Sequence, residues 1–142
     1  MRKLFVLLLF LSSVAGASDC KVSLDFSSGG VELGAEGVVA NSSLTIKEAR
    51  FEIEQALARK GYEVVNSNSN SNSILKIAFA SVDYQEKPKT WESVISVWFF
   101  SEGSSLSVNS TAYGFNSLQA DKGSLRKSLR RILGLMDYCD KN

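Results

Sequence analysis

The stretch ILKIAFASVDYQEKPKTWESVISVWFFSEGSSLSVNSTAYGF, residues 74–115, decides the fold. It contains three runs, Ile74–Tyr84, Trp91–Phe100 and Leu106–Phe115, in which apolar side chains recur at every second position. That period belongs to strands, whose successive side chains point to opposite faces. Gln85–Thr90 holds the only proline, Pro88, and Glu102-Gly103-Ser104 makes a second tight link. Connections this short join antiparallel neighbours, so the three runs are expected to form a meander.

The two faces of this meander differ in an informative way. On Trp91–Phe100 one face carries Ile95, Val97 and Phe99, and the other Val94, Trp98 and Phe100. On Ile74–Tyr84, Leu75, Ile77 and Phe79 oppose Ala78, Ala80, Val82 and Tyr84. Leu106–Phe115 is simpler: Ser107, Asn109, Thr111 and Tyr113 alternate with Leu106, Val108 and Ala112, so one side meets water. Helices on one face cannot cover both apolar sets. Either residues 27–43 pack over the second, or Tyr84, Trp98 and Phe100 belong to an exposed patch that binds a partner.

Upstream of the meander, Lys21–Phe26 alternates as a half-buried strand. Glycine recurs through Ser27–Ser43, which reads as a loop with a short strand at Val38-Val39. Thr45 and Glu48 fit a capping box. Ile46, Ala49, Ile53, Ala56 and Leu57 then repeat at helical spacing, and Gly61 is placed to end the helix in a left-handed conformation. Tyr62–Val65 reads as a short strand, and Asn66–Ser73 (NSNSNSNS) as a solvated connection that buries nothing. Downstream, Asp121–Tyr138 reads as a helix with Leu125, Leu129, Ile132, Leu133 and Met136 as its apolar stripe. The order β-α-β-β-β-β-α, without βαβ alternation, predicts an α+β fold. Its expected form is an antiparallel sheet of four to five strands with both helices on one face, in a single domain over residues 18–142.

The ends of the chain speak about export. Arg2-Lys3, the apolar run Leu4–Leu11 and Ala15-Gly16-Ala17 have the make-up of a cleavable signal peptide over residues 1–17. The run is less than half the roughly 20 residues of a spanning helix, and no later stretch replaces it, so no transmembrane segment is expected after cleavage. The full chain has 16 basic and 15 acidic residues; losing Arg2 and Lys3 leaves 14 against 15, a net charge of −1. That balance favours no nucleic-acid partner. Two cysteines, Cys20 and Cys139, remain near the new ends, and in an oxidising compartment they are expected to pair. Asp19 stands before Cys20 where a lipid-modification site carries Gly, Ala or Ser, so Cys20 reads as a disulfide partner and not a lipid anchor. The expected location is periplasmic or secreted.

The absence of histidine removes Ser-His-Asp and Cys-His catalysis and histidine-based metal sites. Two distant cysteines make no zinc site, and the glycines form no phosphate-binding pattern. Asp83 and Glu92 flank the first hairpin link, where acidic residues are ordinary solvated positions. No catalytic, cofactor-binding or metal-ligating residues are therefore expected, and the chain reads as a non-enzyme. The final helix offers another surface. Lys122, Arg126, Lys127, Arg130 and Arg131 crowd the side opposite its apolar stripe, either as a solvated face or as a dock for an anionic envelope component or an acidic protein.

A helix ending in Ala56-Leu57-Ala58-Arg59-Lys60-Gly61-Tyr62-Glu63-Val64-Val65, then Ile74-Leu75-Lys76-Ile77 and the Leu125–Leu133 stripe, resembles a group of small bacterial envelope proteins. These are periplasmic lipoprotein-type accessory proteins, similar in topology to the lipopolysaccharide-assembly lipoprotein. This chain departs from them in lacking a lipid-modification site at Cys20. The resemblance implies a non-catalytic binding role in the cell envelope. A secreted inhibitor or immunity protein is the alternative, favoured if the binding site lies on a loop such as Asn66–Ser73 or around Pro88.

Overall fold

A computed structural model of the chain describes residues 20–26, 37–66, 71, 73–86 and 89–139, with backbone alone at 81 and 82. The segment read from sequence as a signal peptide, Asp19, residues 27–36 of the glycine-rich stretch, residues 67–70 and 72 of the Asn-Ser tract, and Pro88 lie outside the described residues. The elements are β1 (Lys21–Asp25), α1 (Ile46–Ala58), β2 (Glu63–Val65), β3 (Ser73–Glu86), β4 (Lys89–Ser101), β5 (Ser104–Gly114) and α2 (Ser117–Leu135). The α+β class and the order of elements are those expected. Strands pair in the order β2-β1-β3-β4-β5.

The sheet is mixed and not antiparallel throughout. β3, β4 and β5 form the antiparallel meander, but β1 runs parallel to both of its neighbours, β2 and β3. The β1-α1-β2 segment is thus a βαβ unit, contrary to the expectation that none is present. A helix between two strands returns the chain to the end it started from, which imposes a parallel pair. This pairing also corrects the reading of the Asn-Ser tract as wholly solvated. Ser73 sits opposite Val22 and is buried, and the Ser71 hydroxyl donates to that of Ser23 at 3.0 Å.

Local chemistry sets the helix boundaries. Thr45 and Glu48 make the full capping box: the Glu48 N–H donates to Thr45 Oγ1 and the Thr45 N–H to Glu48 Oε2, each at 3.1 Å. At the far end the Tyr62 N–H donates to the Leu57 carbonyl and the Gly61 N–H to that of Ala58, the paired bonds of a Schellman turn with Gly61 at φ +82°. α2 starts at Ser117, ahead of the expected Asp121. Asn116 caps it, accepting from the Gln119 N–H at 2.8 Å, while the Gln119 side chain accepts from the Phe115 N–H. The helix stops at Leu135, where Met136 turns extended, so Tyr138 lies beyond it.

Both helices lie on one face of the sheet. Val22, Leu24, Leu75, Ile77, Ile95 and Val97 point into the core, where they meet Ile53 and Leu57 of α1 and Leu125 and Ile132 of α2. Each fully buried aliphatic side chain contributes about 1.5–3 kcal/mol relative to exposure. At one end the core becomes polar. The Asp121 carboxyl group, with no exposed surface, accepts from the Ser93 hydroxyl of β4 at 2.6 Å, the Ser42 hydroxyl at 3.0 Å and the Ser43 N–H at 2.7 Å. Ser93 also meets the Ser124 hydroxyl at 2.9 Å. One side chain thereby ties α2, β4 and the segment leading into α1. Val39 and Leu44 of that segment are buried against the same core. Residues 37–45 therefore pack at the helix-covered side, and Val38 makes a single bridge to Thr45 in place of the expected short strand.

The disulfide is present: Cys20 and Cys139 are joined, with Cα atoms 5.7 Å apart across a sequence separation of 119. It sits at a junction of three segments. The Cys20 carbonyl accepts from the Glu63 N–H and the Cys139 N–H donates to the Lys60 carbonyl, both at 2.8 Å. A Cβ on Gly61 would stand 2.6 Å from the Cys139 carbonyl oxygen, so this glycine answers both the left-handed turn and the close approach. A bridge of this kind fits an exported protein, since oxidising compartments sustain it. Among the described residues, no helix is long and apolar enough to cross a membrane.

Replacing both cysteines by serine should lower unfolding free energy by about 3–5 kcal/mol, measured by denaturant titration, because the closed loop is long. Gly61→Ala should cost more than about 1–2 kcal/mol, the penalty of the left-handed backbone alone, since it also displaces the tail at Cys139. Two substitutions two turns apart on the buried face of α2 should have contrasting effects. Asp121→Ala leaves three donors without an acceptor and should destabilise by about 3 kcal/mol. Ser128 is buried with its hydroxyl unpartnered among the described residues, so Ser128→Ala should be neutral or stabilising by up to about 0.5 kcal/mol.

Candidate functional site

Two surfaces carry the residues picked out from the sequence. The first is the outer face of the sheet, away from the helices. Cross-strand register places Ile74 opposite Phe100 and Lys76 opposite Trp98. Phe100 is 41% and Ile74 43% exposed, and Trp98 is half-buried, so no described segment covers this end of the face. The Lys76 ammonium lies 5.7 Å from the centre of the Trp98 ring, within reach of a weak cation–π attraction. On β5, Ser105 and Ser107 continue the patch with small polar groups opposite Phe100 and Trp98.

Tyr84 does not belong to this patch. A β-bulge between Phe79 and Ser81 adds one residue to β3, after which Ser81 faces Val94 and Tyr84 faces Trp91. Trp91 has the parity of the buried Ser93, Ile95 and Val97, so Tyr84 is carried to the helix-side face, where its ring centre lies 5.4 Å from that of Trp91. Strict alternation along Ile74–Tyr84 predicts the opposite. A single extra residue reverses every later side chain, and period-two counting has no means of locating it. Register also sets Asp83 directly opposite Glu92 on the outer side, where Gln85 Nε2 donates to Glu92 Oε2 at 2.6 Å.

The second surface is α2, and here the five basic residues divide. Lys127 Nζ donates to the Thr111 carbonyl at 3.1 Å, and Arg131 Nη1 donates to the Asn109 carbonyl. β5 is one of the two edge strands, the other being β2, and these two side chains occupy carbonyls on it that would otherwise invite another strand. Lys122 and Arg126 turn the other way, toward α1. Lys122 lies 3.2 Å from Glu48, and Arg126 forks onto both carboxylate oxygens of Glu52 at 3.0 and 2.6 Å. The Arg126 hydrogen bond holds the Glu52 carboxyl below its ordinary range, and Glu52 in turn raises Arg126. Glu48 is also lowered, first by the Thr45 N–H of its capping box and then by Lys122. Solvent screens such exposed pairs, so they orient the helices more than they stabilise them.

Arg130 points into a cleft of about 480 Å³ between the two helices. Arg59 and Lys60, from the end of α1, stand on its other wall, with Tyr138 beside them and Leu129 and Leu133 at its base. Lys60 Nζ donates to the Met136 carbonyl at 3.2 Å and lies 4.1 Å from the Tyr138 ring centre. Arg59 and Lys60 were not among the residues singled out from the sequence, because they belong to a different helix from the basic run. Asp121 was passed over for a related reason: an acidic residue near a helix start reads as solvated unless its partners are known.

No protein-family model matches the chain, and no curated protein does. Among solved structures it is similar to the PelC dodecamer from Paraburkholderia phytofirmans, with a TM-score of 0.51 and 14% identity over 80% of this chain and 86% of that one. The N-terminal domain of Protein Y from Thermus thermophilus also aligns, over 81% of this chain and 90% of that one, with 14% identity and a TM-score of 0.33. The likeness to PelC is one of fold alone. The envelope-protein resemblance therefore rests on the pattern of elements, and the comparisons supply no family.

Proposed function

We propose that this chain is an exported, non-catalytic accessory protein of the cell envelope that works by docking a partner protein on the outer face of its sheet. The observation that carries the reading is the strip of Ile74, Trp98 and Phe100 on three-strand antiparallel backbone, uncovered among the described residues and with Lys76 at its border. Aromatic side chains on a paired sheet lose little entropy on binding, and large aromatic residues dominate the energetics of protein interfaces. The disulfide supports an extracytoplasmic site of action, since it closes the fold without a reducing-sensitive step in an oxidising compartment. The inhibitor alternative draws on the Asn-Ser tract and Pro88 and gains no support from the described residues.

A photocrosslinking amino acid placed at Phe100 should capture one discrete partner in envelope fractions of the source cell, whereas the same group at Lys47 of α1 should not. Trp98→Ala should weaken that complex about 10–100-fold while costing the fold no more than about 1–2 kcal/mol, so that the variant remains folded at the assay temperature. Equal capture from both positions, or capture indifferent to Trp98→Ala, would remove the sheet face from consideration.

A further inference from the structure

The geometry points to a second binding site, separate from the sheet face: the cleft between α1 and α2 takes a small amphipathic phosphate ester, its phosphate held by Arg59 and Arg130 and its hydrocarbon part set against the exposed Tyr138 ring. Three observations converge there. The first is charge. Arg59, Lys60, Arg126 and Arg130 line the cleft against a single acid, Glu52, an excess of three positive charges in a chain whose total is +1. Of the four, Arg126 is spent on Glu52 and Lys60 is held by the Met136 carbonyl and the Tyr138 ring. Arg59 and Arg130 are exposed and, among the described residues, carry no ion pair or hydrogen bond to protein.

The second is the kind of cation. A guanidinium offers a planar fork of donors that matches phosphate oxygens two at a time. The two free forks come from separate segments, the C-terminal cap of α1 and the body of α2, and both line the same cleft. A phosphate monoester also brings roughly −1.5 to −2 charges, closer to the local excess than a single carboxylate would.

The third is shape. The cleft of about 480 Å³ is within the usual span of small-molecule sites, roughly 300–1,000 Å³. Its base is closed by the buried Ala56, Leu129 and Leu133, and the exposed Tyr138 ring supplies apolar surface at its edge. A fully hydrated inorganic anion would leave that ring wet, whereas an alkyl phosphate covers it and keeps its head among the arginines. The bidentate Arg126–Glu52 pair ties the two helices beside the cleft, and Lys60 is held over the Tyr138 ring at its end.

Calorimetric titration of the oxidised, exported chain with octyl phosphate below its micellar concentration tests this directly, with inorganic phosphate and octyl glucoside as comparison probes. Octyl phosphate should bind in the sub-millimolar range, inorganic phosphate should bind more weakly, and octyl glucoside should not compete. The double substitution Arg59→Gln and Arg130→Gln should weaken octyl phosphate about tenfold or more, while Arg131→Gln, on the sheet-edge side of α2, should change nothing. Both arginines are exposed, and an unchanged unfolding midpoint will show that the double variant is folded. Retention on phosphatidic acid vesicles that the double variant loses would assign the ligand to a lipid headgroup. Octyl phosphate binding without vesicle retention would assign it to a soluble ester. Wild-type affinity in the double variant, equal affinity for octyl glucoside, or equal affinity for inorganic phosphate would overturn the proposal. None of these results bears on the sheet-face complex, whose readout is Trp98.

Discussion

The buried carboxyl group of Asp121 fixes how this fold is assembled. Burying such a group costs several kcal/mol unless donors surround it, and here the donors come from β4 and from the segment entering α1. The bond set is satisfied in one placement of α2 only. An apolar stripe alone would let the helix slide along the sheet with modest loss, because Leu, Ile and Val contacts are not directional. The polar end of the core removes that freedom. It sets the rotation of α2, and that rotation directs Lys127 and Arg131 to the sheet edge and Lys122, Arg126 and Arg130 toward α1.

A second constraint acts at the opposite end of the molecule. The Cys20–Cys139 bridge, the Gly61 turn and the hydrogen bonds of Cys20 and Cys139 hold the start of β1, the end of α1 and the tail beyond α2 in one knot. The covalent link acts chiefly on the unfolded chain by shortening its reach, whereas Asp121 acts on the folded state by excluding alternative packings. Between the two, the helices are held in fixed relation, and the cleft between them is a consequence. Its basic wall combines residues from the end of α1 and the middle of α2 that no local pattern connects.

The sheet is asymmetric in a way that bears on function. Its inner face is filled by the helices, its β5 edge is closed by Lys127 and Arg131, and the outer strip around Trp98 and Phe100 is left without described cover. Cross-strand contacts such as Lys76 with Trp98 stabilise the sheet on that face as well. The two side chains on β5 occupy carbonyls that strand addition by another chain would need.

Much of the fold was legible in the residues themselves, because it depends on local rules. Period-two alternation found the strands of the meander, Thr45 and Glu48 marked the start of α1, Gly61 its end, and an even pair of cysteines in a chain read as exported implied the bridge. What escaped was whatever depends on contacts distant in sequence. The parallel direction of β1 follows from the chain returning through α1 and pairing on both sides, and periodicity carries no direction. The bulge after Phe79 moved Tyr84 to the other face, because one inserted residue inverts a pattern whose period is two. Asp121 looked like a surface acid until Ser93 and Ser42 stood around it. The five basic residues of α2 looked like one face, and only packing against α1 on one side and β5 on the other split them. Sequence thus determined which segments become helix and strand, through backbone sterics and side-chain period. The tertiary structure alone decided which charges meet, because that depends on bringing together groups the chain holds far apart.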